Sequence, residues 1–280
     1  MKLAEQIQRL YARANAADRD EARAAFAALR TELAQGRVRA AVPDPSSPTG
    51  WRVNAWVKQG ILVGFQCGDV VAFDSPNADS PWLDKDTLPL RPLSTVSKVR
   101  IVPGGSSVRD GAYLGRGVIC MPPMYVNIGA YIGEGSLIDS HALVGSCAQI
   151  GSGVHVSAGA QIGGVLEPVG ALPVIVEDDA LIGGNTGLYE GAVIKRRAVI
   201  GAGTVLTGST PIYDLPRRRI IRPAEGGPTI VPEDAVVVPG ARAVTSGAGP
   251  GWGLSLATPV IVKYRDDRTD TRVELEAWIR

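Results

Sequence analysis

Counting in steps of six from Val102 meets Val108, Leu114, Cys120, Val126, Ile132, Ile138, Val144, Ile150, Val156 and Ile162, every one aliphatic or cysteine, in a chain that is 45 % apolar. Two residues before many of them stands a small side chain (Ala130, Ser136, Ala142, Ala148, Ala160), and just after many comes glycine (Gly115, Gly133, Gly145, Gly151, Gly163). In a strand, residues i and i−2 share a face, so the small and the aliphatic residue both point inward. A glycine behind them permits the positive φ of a tight corner. Three such strand-and-corner units close one triangular coil of about 18 residues, and stacked coils bury a single column of aliphatic side chains. A second register runs Val176, Ile182, Leu188, Ile194, Ile200, Leu206 and Ile212, two residues out of phase with the first. The stretch 163–175, GGVLEPVGALPVI, reads as a loop pushed out between the registers, and loops leaving a rigid scaffold tend to cover or build a site.

The 34 glycines against three phenylalanines fit a chain that turns at regular intervals. The 29 basic and 28 acidic residues give a net charge of +1, no general reason to expect nucleic acid or an anionic membrane as partner. No apolar run reaches the roughly 18 residues of a membrane span. Cys67, Cys120 and Cys147 match neither a disulfide framework nor a metal site, so buried reduced thiols, a cytoplasmic location and no metal are expected. Ahead of the repeat, residues 1–36 read as two helices, with Asp18 as N-cap, Glu21 three residues on and Gly36 as stop. Asn54 can cap a short helix through AWVKQGILVGF, and 74–92 reads as irregular. Behind the repeat, 213–228 reads as an exposed basic loop, LSLATPVIVKY as a strand and ELEAWIR as a short helix. The expected organisation is a helical domain over 1–98, a parallel β-helix over 99–240 and a C-terminal segment over 241–280.

The run MYVNIGAYIGEGSLIDSHALVGSCAQIGSGVHVSAGAQIGGVLEP resembles the tetrahydrodipicolinate N-succinyltransferase family, within the hexapeptide-repeat acyltransferases. The likeness extends to WRVNAWVKQGILVGF, VRIVPGGSSVRDGAYLGRG, TPIYD and PVIVKY, nearly the whole chain. Parallel crossovers are normally right-handed; the left hand expected here comes from the resemblance. The resemblance further implies a homotrimer with sites between subunits, succinyl-CoA (or another acyl-CoA) as co-substrate, no permanently bound cofactor, and transfer of succinyl to the amine of 2-amino-6-oxopimelate, the opened form of tetrahydrodipicolinate, in lysine and diaminopimelate synthesis. It places substrate binding on Arg100 and Asp139.

The residues themselves agree with that placement. Asp139 is the only acid in the column just behind the inward residues, where Asn127 and Gly163 also fall, and it should point outward. A carboxylate there could hold an ammonium and accept its proton during attack on a thioester. Aspartate also tolerates a left-handed corner, so a purely structural role stays open. Arg100 could pair bidentately with a substrate carboxylate, and Asn127 is a further candidate for substrate binding. Gly163, Gly164, Lys195 and Arg197 are candidates for contact with CoA, as is the 217–219 arginine run. His141, two residues from Asp139, is a candidate catalytic group, since imidazole exchanges protons near neutral pH. One departure matters: where the family carries Arg–Ser–Glu, this chain reads Asn185–Thr186–Gly187. Two further readings therefore stand beside the first. One is CoA-dependent acylation of another amino acid, or with acetyl-CoA, in a specialised pathway. The other is a non-catalytic trimeric scaffold.

Overall fold

The protein, described here from a computed structural model that covers residues 2–13, 18–74, 81–223 and 227–266, is a left-handed parallel β-helix carrying an N-terminal helical domain. Three parallel sheets form the prism's faces. The first runs through Arg100–Ile101, Ile119–Cys120, Leu137–Ile138, His155–Val156, Leu181–Ile182 and Val199–Ile200. The second holds Ser107–Val108, Tyr125–Val126, Leu143–Val144, Gln161–Ile162, Gly187–Leu188 and Val205–Leu206. The third holds Tyr113–Leu114, Tyr131–Ile132, Gln149–Ile150, Ile175–Val176, Val193–Ile194 and Ile230–Val231. Strand partners lie one coil apart, Ile132 on Ile150 and Val144 on Ile162, and the same ladder carries across the loop, pairing Ile150 with Val176. The inward column is buried almost without exception, Ile132 through Ile162 and Ile182 through Leu206 at 0 % exposure. Each such side chain contributes about 1.5–3 kcal/mol by leaving water.

The ends of both registers differ from the six-residue count. Ile101, not Val102, pairs with Cys120, and Val102 is half-buried outside any strand. The seven-residue step to Val108 leaves room for the corner containing Gly104 and Gly105, both at positive φ. Ile212 is buried, yet its strand Ile212–Asp214 leaves the prism and pairs with Ser255–Tyr264, while Ile230–Val231 supplies the next rung of the third face. The expected basic loop is in fact a hairpin of Ile212–Asp214 on Arg219–Ile221. The buried Asp214 carboxylate explains it, accepting from Arg219 Nε at 3.0 Å and Tyr264 Oη at 2.9 Å, with the Arg217 guanidinium stacked 3.8 Å from the Tyr264 ring. The long hairpin Ala235–Ala243 and Ser255–Tyr264 continues the first face, so a boundary at 240 cuts a strand. The segment expected as a terminal helix lies outside the described residues.

Helices α1 (Leu3–Arg13) and α2 (Arg19–Ala34) follow the expected caps: Asp18 Oδ1 accepts from the Asp20 and Glu21 amides at 2.9 and 3.2 Å. Helix α2 buries Ala22, Ala25, Phe26, Leu29 and Leu33, a stripe at helical spacing. Strands β1 (Ala41–Pro43) and β2 (Trp51–Val53) form a small antiparallel pair, and Asn54 precedes α3 (Ala55–Cys67). Asn54 does not cap through its side chain; Nδ2 donates instead to the Arg39 carbonyl at 2.8 Å. The region expected to be irregular contains β4 (Trp82–Lys85), antiparallel to β3 (Val70–Phe73). The helical core takes in Ile128 and Cys147, two corner residues of the prism between its second and third faces, and so fuses the domain to the β-helix. A Cβ at Gly60 or Gly64 would lie 2.3 Å from Leu29 or 2.4 Å from Phe26, so glycine alone lets α3 approach α2 this closely.

Candidate active site

The loop 163–175 leaves the corner between the second and third faces and is held down by the helical domain. Lys58 on α3, fully buried, donates from Nζ to the Ala171 carbonyl at 2.6 Å, and Leu166 packs on the helical core. Burial pushes the Lys58 ammonium below its ordinary pKa. Gly163 and Gly164 are required by close backbone approach: a Cβ on Gly164 would lie 2.6 Å from the Ser146 amide.

Asp139 sits at a different corner, between the first and second faces, immediately after Leu137–Ile138. Oδ1 accepts from the Ser140 amide at 2.7 Å, which fixes one oxygen of a side chain that is 30 % exposed. His155 stands beside it. Leu137 and His155 are partners in adjacent coils, and His155 Nε2 lies 3.9 Å from Asp139 Oδ2. His141 belongs to the same corner at φ 62°, with an exposed ring on the rim of a shallow cleft of about 270 Å³ walled by Ser107, Pro123, Tyr125 and Leu143. No hydrogen bond or ion pair joins His141 to Asp139 among the described residues. Arg100 is exposed on the first face, two strands from Leu137. Asp139 and His141 therefore share one corner of the prism, with His155 and Arg100 on the first face beside it.

The other expected residues lie elsewhere. Asn127 is at the far edge of the second face, where Oδ1 accepts from the Ile128 amide at 2.8 Å. Lys195 and Arg197 stand at the corner between the third and first faces, and both are engaged: Lys195 Nζ with Glu177 Oε1 and the Thr49 carbonyl, each at 2.8 Å, and Arg197 Nε with Asp234 at 2.7 Å. Trp51 Nε1 donates to the same Glu177 oxygen at 2.9 Å. Lys195 thus helps pin the N-terminal domain to the prism, and neither cation is directed at the Asp139 edge. Glu190, near the position of the missing family glutamate, faces away from that edge and accepts from the Gly208 amide at 2.7 Å. Among the described residues no group of three or more His, Cys, Asp or Glu is placed to hold a metal ion.

The family profile described as tetrahydrodipicolinate N-succinyltransferase N-terminal matches residues 2–67, and the profile for the hexapeptide repeat of succinyl-transferase matches 173–208. A 2,3,4,5-tetrahydropyridine-2,6-dicarboxylate N-succinyltransferase of Rhodopseudomonas palustris is 37 % identical over 272 residues, covering 95 % of this chain and 92 % of the relative. The chain belongs to the tetrahydrodipicolinate N-succinyltransferase family. Relatives of the same name from Nitrobacter winogradskyi (37 % over 272 residues, 94 % and 92 % covered) and Idiomarina loihiensis (36 % over 269 residues, 94 % and 91 %) agree.

Gly187, where the resemblance leads one to expect a glutamate, lies beneath a tyrosine ring. Alternation points position 187 outward, yet Gly187 is buried, because the Tyr189 ring covers it. A Cβ on Gly187 would lie 2.5 Å from Tyr189 Cε2 and 3.0 Å from its hydroxyl, and a Cβ on Gly163 would lie 2.9 Å from Cδ1. The one tyrosine ring therefore stands over both Gly187 and Gly163, which lie in neighbouring coils.

Proposed function

We propose that this chain transfers succinyl from succinyl-CoA to the amine of tetrahydrodipicolinate in its opened form, 2-amino-6-oxopimelate, as a homotrimer with sites between subunits. The relatives' shared name along nearly the full chain carries this reading, and the Asp139 edge gives it a chemistry. Asp139 Oδ2 holds the substrate ammonium, takes a proton from it and frees the nitrogen lone pair to attack the thioester carbonyl. The N–C bond forms, the C–S bond breaks, and the nitrogen's second proton leaves with the CoA thiolate, which departs as the thiol. Arg100, roughly 10 Å away along the stack at about 4.8 Å per strand, lies within reach of a carboxylate at the far end of an extended dicarboxylic acid. His141, Ser107 and Tyr125 wall the cleft beside this line. The aliphatic outward column of the first face, Ile119, Leu137, Leu181 and Val199, supports a face that meets a second subunit.

The Tyr189 cover over Gly187 favours a second reading, in which the same fold acylates a different amine or uses acetyl-CoA. Offering tetrahydrodipicolinate with succinyl-CoA and with acetyl-CoA in parallel, and following free thiol, separates the two. Release with succinyl-CoA that depends on tetrahydrodipicolinate supports the first. Release only with acetyl-CoA, or only with another amine, transfers the assignment to the second.

A further inference from the structure

We propose that His155 is the positioning residue for Asp139, holding its carboxylate aimed at the substrate amine; the inference rests on Asp139 serving as the base. The outward column of the first face reads Arg100, Ile119, Leu137, His155, Leu181, Val199 and Val236. Behind the arginine at its end, His155 is the one polar side chain in an aliphatic row. It is 9 % exposed, and register places it against the one acid of the neighbouring corner.

The two oxygens of Asp139 have separate duties. Oδ1 is tied to the Ser140 amide, so the carboxylate can turn only a little, and Oδ2 is the oxygen that faces His155 Nε2 at 3.9 Å. That separation is too long for a hydrogen bond and close enough that a small movement of either side chain closes it. Catalytic hydrogen bonds in ligand-free sites are often long and tighten when substrate binds. His155 is held by the rigid coil and shielded by its neighbours, whereas Asp139 is the half-exposed member that substrate meets. The proton leaves the amine nitrogen for Oδ2, and its electron pair enters the new N–C bond. His155 forms and breaks no covalent bond and does not touch substrate. His141, nearer in sequence, has no such contact.

A double-mutant cycle on the full-length protein tests this. Turnover and KM for both substrates are measured for the wild type, His155→Leu, His155→Gln, Asp139→Asn and Asp139→Asn/His155→Leu, after each variant is shown to keep wild-type assembly and melting temperature. We expect His155→Leu to lower kcat by about tenfold with KM for acyl-CoA unchanged, within the coupling range of residues in contact. We expect His155→Gln, which keeps a polar head, to recover part of the loss. In the Asp139→Asn background His155→Leu should cost less than about twofold. If the two losses multiply, or if His155→Leu leaves kcat intact while Asp139→Asn is crippled, the histidine is structural and the inference is overturned with the proposed base untouched. If Asp139→Asn itself turns over normally, the base assignment falls, and this inference with it.

Discussion

At the scale of single residues, the sequence alone marks Asp139 and misleads about its neighbour. Asp139 is recognisable because it is the sole acid in a periodic column, and that periodicity sets its direction. His141 looks attractive because it is close in sequence. His141 is two residues away in the chain, but the corner turns it to the cleft rim, whereas His155 is 16 residues away and one coil distant. Counting 18 residues per coil from Leu137 would have found it. Asp139→Asn should leave assembly intact and cut turnover roughly 10²-fold or more, the scale of general-base loss, in steady-state kinetics on purified protein. The tyrosine over Gly187 makes a sharper prediction. Gly187→Glu alone must displace the ring and should lower the melting temperature without raising turnover on tetrahydrodipicolinate. Gly187→Glu with Tyr189→Val and Asn185→Arg removes the obstruction and rebuilds the family wall. A strong rise in that turnover would show a weakened ordinary member of the family, while no rise supports an altered amine. The buried thiols are also testable: desolvation pushes Cys120 and Cys147 up to about 12. Native protein should give almost no reaction with a disulfide reagent near neutral pH, and denatured protein should release all three thiols.

At the scale of elements, what is periodic is readable and what depends on long-range partners is not. The coils and the ejected loop follow from the six-residue count, and α2 from its cap and stripe. Strand β4 was unreadable because Trp82–Lys85 lacks alternating burial and is set by pairing with β3. The hairpin at Arg219–Ile221 was hidden because its basic residues suggest solvent, while the buried Asp214 that organises them acts across the fold. Lys58 was equally hidden, a lysine that reads as the polar face of α3 yet anchors the loop. Its pH dependence has a definite sign. Because burial lowers its pKa in the fold, the unfolded chain binds the proton more readily between the folded value and the ordinary 10.5. The cost of the buried charge is therefore fully present below the folded pKa and is relieved as pH rises toward 10.5. Chemical denaturation at a series of alkaline pH values should show wild type gaining stability relative to Lys58→Met through that window. A constant difference would place the ammonium in contact with water. In the column, Ile150→Ala should cost about 2–5 kcal/mol, read from the same denaturation curves.

At the scale of the whole molecule, one chain supplies a rigid prism, a helical domain fused to it through Ile128 and Cys147, and a loop clamped by both. Lys195 and Arg197, which the sequence offers for CoA, are engaged in holding these parts together, since salt bridges and cations for a ligand look alike in one dimension. The Asp139 edge holds the acid and His141, with His155 and Arg100 on the first face beside it, and a trimer would set it against a neighbour's face. Light scattering at micromolar concentration should report three chains per particle, and a stable monomer would remove the shared site. Acyl transfer at that edge is read from the mass of the product. Purified protein, succinyl-CoA and tetrahydrodipicolinate are incubated, and the amine product is identified by mass spectrometry beside an Asp139→Asn control. The wild type should yield N-succinylated product and the variant almost none; no product from the wild type, or equal product from both, would rule out transfer at that edge.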